Sequence, residues 1–113
     1  MTSDTERAQS LIDRWADFIR DVARGYTFTM YDYENDLTIR DHLQRTRVEL
    51  SSESASVLLL QRVEALDDAY RRVTTFVDAP PWKYSRNKSD LSWWWHRIPN
   101  KLVGDLAEDF KNL

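Results

Sequence analysis

The chain has 113 residues, 42% hydrophobic, 31% charged and 12% aromatic, with two glycines, three prolines, no cysteine and a formal charge of -3. That size and apolar fraction predict one folded domain over residues 1–113, outside the disordered class, and the lack of cysteine excludes disulfides and thiolate metal sites. The acidic balance argues against a protein that coats duplex nucleic acid with its whole surface.

So few glycines and prolines cannot supply the many tight turns of an all-β domain. The predicted class is therefore all-α, an irregular antiparallel bundle of four to five helices. The first residues carry neither a basic nor an apolar targeting segment, and the longest uninterrupted aliphatic run is Val57 to Leu60. No signal peptide and no membrane span are expected, which together with the absent cysteines fits a cytoplasmic protein.

Residues 4–24 place Ala8, Leu11, Ile12, Trp15, Phe18, Ile19, Val22 and Ala23 at helical spacing, and Gly25 follows where a C-cap wants glycine. The remaining surface of this first helix alternates arginines with aspartates at three- and four-residue spacing and reads as solvated. Tyr26-Thr27-Phe28 forms a short extended connection. Thr29 offers a helix start, and Thr38 with Asp41 offers a second, so residues 30–49 form either one helix or two joined at Leu37. Ser51, Ser52 and Glu53 resemble a further N-terminus. From there Leu59, Val63, Leu66, Tyr70, Val73 and Val77 predict a helix over 52–77, the central rod of the fold, stopped by Pro80 and Pro81. Residues 82–89 read as an irregular excursion. Ser89 or Ser92 then caps a short helix through the tryptophans, ended by Pro99, and 101–112 forms a last amphipathic helix bearing Leu102, Val103, Leu106 and Phe110.

Two segments are the candidate partner-binding sites. The first runs from Trp82 to Lys101 and holds Trp82, Lys83, Arg86, Lys88, Trp93, Trp94, Trp95, His96, Arg97 and Lys101 against one acid, Asp90. Three adjacent residues cannot all face one way on a helix or a strand, so at least one of the three indoles looks away from what the others pack on. Trp and Arg supply much of the energy of protein interfaces, and exposed rings beside cations also suit single-stranded nucleic acid. A purely structural reading has two of the indoles plug the end of the bundle, with lysine and arginine stems lying over the third. The second segment is acidic and aromatic, with Tyr31, Asp32, Tyr33, Glu34 and Asp36. It fits a protein docking surface, or else an exposed helix start complementing the helix dipole. It is not a calcium loop, because the sixth and twelfth positions from Asp32 are Leu37 and Leu43.

No other motif carries chemistry. His42 and His96 lack partners at ligand spacing, Ser85-Arg86-Asn87-Lys88 lacks the companion motifs of acyl-transfer enzymes, and two glycines cannot build a phosphate loop. No catalytic residue, metal or cofactor is predicted. The expected function is a small helical protein-binding module that occludes a partner's surface, as regulators, antitoxins and immunity-like inhibitors do. One alternative is single-strand nucleic-acid binding through 82–101, and another is a small enzyme whose carboxylates converge in the fold. The dipolar charge also fits a homodimer in which the acidic 32–36 patch of one copy meets the basic segment of the other.

Overall fold

Ala8, Leu11, Ile12, Trp15, Phe18, Ile19 and Val22 are buried along one side of α1 (Asp4–Arg24) in the computed structural model, which describes residues 4–50, 57–84 and 92–113. Ala23 is exposed instead. It sits about 100° around the helix from Val22, past the edge of the packed face. The helix stops at Gly25, whose φ of 111° is open to glycine and costly for other residues. A Cβ there would also lie 2.8 Å from Val103 Cγ2, so the segment before the last helix packs directly on the Gly25 backbone.

Residues 30–50 form a single helix, α2 (Met30–Leu50). Its start is closed reciprocally: the Asp32 N–H donates to Thr29 Oγ1 (3.1 Å), and Asp32 Oδ2 accepts from the Thr29 N–H (3.3 Å) and hydroxyl (2.9 Å). Thr38 and Asp41 do not begin a second helix. The Thr38 hydroxyl turns back to the Asn35 carbonyl (2.6 Å), and no glycine or proline interrupts the run. The weak periodicity of α2 has a physical cause in its surroundings. Tyr33, Leu37 and Leu43 are buried, but so are Glu34, Ile39, Arg40 and Thr46, because structure covers this helix on several sides.

The third helix ends five residues before its periodicity predicts. α3 runs Val57–Arg72, about 24 Å at 1.5 Å per residue, and Ser51, Ser52 and Glu53 lie outside the described residues. Only Val63, Asp67 and Tyr70 of α3 are buried, so α2 and not α3 is the central helix. After Val73 the chain becomes a strand, β1 (Thr74–Phe76), paired antiparallel with β2 (Arg97–Pro99) in the register Thr74 to Pro99, Thr75 to Ile98 and Phe76 to Arg97. The run Val73-Thr74-Thr75-Phe76-Val77 is β-branched and aromatic, so its helical preference is poor once a partner strand is available. The end of α3 is closed from β2. The Arg97 guanidinium donates to the Arg71 carbonyl (3.0 Å), the Thr74 carbonyl (2.9 Å) and Thr74 Oγ1 (2.8 Å), placing a cation and its donors on the negative end of the helix.

The last helix, α4 (Gly104–Lys111), begins three residues later than expected. Leu102 instead makes a single parallel bridge with Tyr26, and Gly104 turns the chain with φ 59° against the Thr27 backbone. Leu106 is fully buried, and Asp109 Oδ2 accepts the Met30 N–H (2.8 Å), so α4 helps to cap α2. The architecture is mostly helical with a small two-stranded sheet added to the expected bundle. Among the described residues no helix is long and apolar enough to cross a membrane.

Candidate functional site

The three tryptophans lie in a 3₁₀ turn, Trp93–His96. With about three residues per turn, consecutive side chains there spread some 120° apart. Trp94 and Trp95 point inward and are buried, and Trp93 is left half-buried at the surface. Both buried indoles are anchored on one carboxylate, Asp41: Trp94 Nε1 donates to Oδ1 (2.8 Å), and Trp95 Nε1 donates to Oδ1 (3.0 Å) and to Oδ2 (3.3 Å). Trp82 lies deeper, stacked on Tyr33 at 5.1 Å between centroids, with Nε1 donating to the Trp95 carbonyl (2.7 Å). These three rings belong to the core, which corrects the expectation that Trp82, Trp94 and Trp95 face a partner.

The other predicted residues divide in the same way. His96 stacks on Phe76 with centroids 6.2 Å apart, and Arg97 is occupied at the end of α3. Lys83 is exposed, and Arg86 and Lys88 lie outside the described residues. In the acidic segment, Tyr33 and Glu34 are buried, Asp32 serves the α2 cap, and Asp36 accepts the Tyr26 hydroxyl (2.5 Å). Glu34 accepts the Tyr84 N–H through both oxygens (3.0 and 3.2 Å), tying the start of the tryptophan segment to α2. Of the expected docking surface only Tyr31 remains open, edge-to-face with the exposed ring of Tyr84. The acids were consumed by backbone and phenol hydrogen bonds, so they form no continuous surface.

Burial also holds three phenols neutral. Desolvation raises the Tyr26 hydroxyl well above its ordinary range, reinforced by the hydrogen bond to Asp36. Tyr33 and Tyr70 share a hydrogen bond (2.6 Å) at full burial, and desolvation raises both.

Beside this core sits an ion pair that composition does not reveal. Arg40 grips Asp67 through Nε to Oδ1 (2.9 Å) and Nη2 to Oδ2 (2.8 Å), with both side chains buried. Asp67 also accepts Trp15 Nε1 (3.1 Å). The guanidinium of Arg40 lies over Trp94, 4.2 Å from the ring centroid, and its Nη1 donates to Gln44 Oε1 (3.1 Å). Their sequence signal is register. Arg40 continues the buried series Tyr33, Leu37, and Asp67 sits between Val63 and Tyr70 on the packed face of α3.

Arg40 also forms part of the wall of an open groove of about 430 Å³ between α2 and the 3₁₀ turn, lined by Arg40, Gln44, Arg47, Ser92, Trp93 and Trp94. No acid lines it. Arg40 fixes the Gln44 carboxamide by occupying its oxygen, which leaves the amide N–H groups to donate outward. Among the described residues neither these nor the Trp93 indole N–H has an acceptor, and no buried side-chain nitrogen or oxygen lacks a partner, so the unpaired donors are those that solvent reaches. Among the described residues Arg47 is held only by Glu64, at 3.3 Å, with the Glu64 side chain 64% exposed. One face of Trp93 is covered by the Arg71 guanidinium at 3.9 Å. Sequence reasoning found Trp93 but missed Gln44, Arg47 and Ser92, which as ordinary polar residues on a helix and a loop carry no pattern. Among the described residues no three His, Asp or Glu side chains are placed to hold a metal ion.

Comparison with protein-family models, with curated proteins and with solved structures finds no match to this chain.

Proposed function

We propose that this chain is a cytoplasmic protein-binding module and that the groove beside Trp93 is its recognition surface, acting as a regulator or inhibitor by occupying a partner. One observation carries this reading. The Gln44 amide and the Trp93 indole N–H, without an acceptor among the described residues, line the groove on side chains whose neighbours are locked by the buried Arg40–Asp67 pair and the Asp41-anchored indoles. A rigid scaffold presenting solvent-facing donors and half an indole suits binding, because little ordering is required when a partner arrives.

The test is affinity capture from the source lysate with wild-type protein and with a Gln44→Ala/Trp93→Ala variant, each with and without nuclease. A discrete protein held by wild-type, resistant to nuclease and lost in a variant that keeps its helical circular dichroism, supports the reading. Equal recovery by the variant overturns it. Recovery that vanishes with nuclease transfers the groove to single-stranded nucleic acid, the alternative that an arginine beside an indole keeps open. Against that alternative stand the net acidic chain and the Arg71 guanidinium already stacked on one face of Trp93.

A further inference from the structure

The chemistry of the groove restricts what it can accept. Among the described residues its wall offers the Gln44 amide, the Arg47 guanidinium, the Trp93 indole N–H and the Ser92 hydroxyl. All except the hydroxyl can only donate, and the single side-chain carbonyl, Gln44 Oε1, is turned inward to Arg40. Among these side chains a ligand rich in donors would find little beyond the Ser92 hydroxyl to receive its protons. Charge leads to the same class. Arg40 is neutralised by a bidentate, buried Asp67, whereas among the described residues Arg47 has only Glu64, a longer contact to one oxygen of a side chain that is mostly in water. The two pairs differ sharply in how readily they yield: an exposed pair of this kind is worth well under the cost of removing a buried one.

We infer that the groove recognises a carboxylate on an extended segment of a partner protein, and that Glu64 occupies Arg47 in the free protein as an intramolecular competitor for that carboxylate. The inference rests on the groove being the recognition surface and names its ligand. The planar guanidinium of Arg47 suits two carboxylate oxygens, and exchange of Glu64 for the incoming group replaces a one-oxygen contact by a two-oxygen one. The open mouth of the groove suits a side chain reaching in from a protein surface, and the exposed part of Trp93 provides apolar area for the residue next to the acid. A phosphate would meet the same donors. The Arg71 guanidinium covering one face of Trp93 leaves less ring for a base to stack on and favours the peptide, and the experiment separates the two.

The experiment is titration of ¹⁵N-labelled full chain with three probes: an end-blocked peptide of alternating glutamate and leucine, its glutamine-for-glutamate counterpart, and an oligothymidylate. The readout is the Trp93 indole and Gln44 amide resonances, assigned with Trp93→Phe and Gln44→Ala. The expected result is that the glutamate peptide shifts both and the glutamine peptide does so at least tenfold more weakly. Arg47→Gln abolishes the response, and Glu64→Gln strengthens it several-fold. That last gain is the distinguishing sign, since a purely structural Glu64 would leave affinity unchanged or lower it. An unchanged or weaker affinity in Glu64→Gln overturns the inference, as does equal binding of the two peptides, a response to oligothymidylate alone, or no response at millimolar peptide. If the peptides fail while captured protein still depends on Gln44 and Trp93, the recognition surface stands and only its ligand class falls.

Discussion

Replacement of Asp41 measures how far the tryptophan segment is held by one side chain. Asp41 Oδ1 accepts both Trp94 Nε1 and Trp95 Nε1, at 2.8 and 3.0 Å, and both rings are 3% exposed. Asp41→Ala removes the shared acceptor and leaves two indole N–H groups without their partner, each costing about 1–3 kcal/mol. Because Asp41 is itself half-buried, water entering its place recovers part of this, and alanine gains a few tenths of a kcal/mol of helix propensity. The expected loss is therefore about 2–4 kcal/mol, a large share of the roughly 5–15 kcal/mol that holds a domain of this size. Asp41→Asn is the informative companion. Its carboxamide oxygen stands where Oδ1 stood and has two lone pairs, so it still serves both indoles, losing charge assistance and the longer 3.3 Å contact of Oδ2. That variant should lose about 1–2 kcal/mol. Urea unfolding followed by circular dichroism and by tryptophan emission measures both. An alanine variant within 0.5 kcal/mol of wild-type (roughly the scatter of neutral surface changes), or an asparagine variant as unstable as alanine, would refute the shared-acceptor reasoning.

Three further outcomes follow from the same geometry. Asp67→Ala leaves the Arg40 guanidinium buried without its partner and should cost about 3–5 kcal/mol, while the double change Arg40→Met/Asp67→Leu should recover much of that; a double variant no better than the single would show that the pair is not the source of the loss. Gly104→Ala places a side chain at φ 59°, 2.8 Å from the Thr27 carbonyl oxygen, and should lower stability by about 1–2 kcal/mol for the backbone conformation, with the contact adding more, as read from the urea midpoint. Tyr26, Tyr33 and Tyr70 have raised values in the fold, so the unfolded chain releases these protons first. Above about pH 10, where unfolded phenols ionise, the unfolded state binds fewer protons and stability falls as pH rises toward the folded-state values; below pH 10 their contribution is constant. Tyrosinate absorbance of these three should therefore appear together with loss of helical circular dichroism, and ionisation of all five tyrosines in a fully helical protein would contradict it.

What the sequence determined by itself is the local part of this molecule. The stripe from Ala8 to Val22, the stop at Gly25 and the Thr29 cap depend on neighbours three or four residues away, and periodicity reads that range directly. The spread of three adjacent indoles also followed from backbone geometry alone, as did the placing of one of them at the surface. The tertiary structure decided whatever depends on partners distant along the chain. Residues 74–76 continue a helical seam, yet become a strand because Arg97–Pro99 lies beside them. Glu34 and Asp36 read as a surface until Tyr84 and Tyr26 arrive as donors and absorb them. Arg40 and Asp67, ordinary charges in a chain that is 31% charged, become a buried pair only when α2 and α3 face each other across Trp15. Polar side chains can be satisfied equally well by water or by a distant partner, and only the folded arrangement selects between them, whereas a long apolar stripe has a single favourable destination.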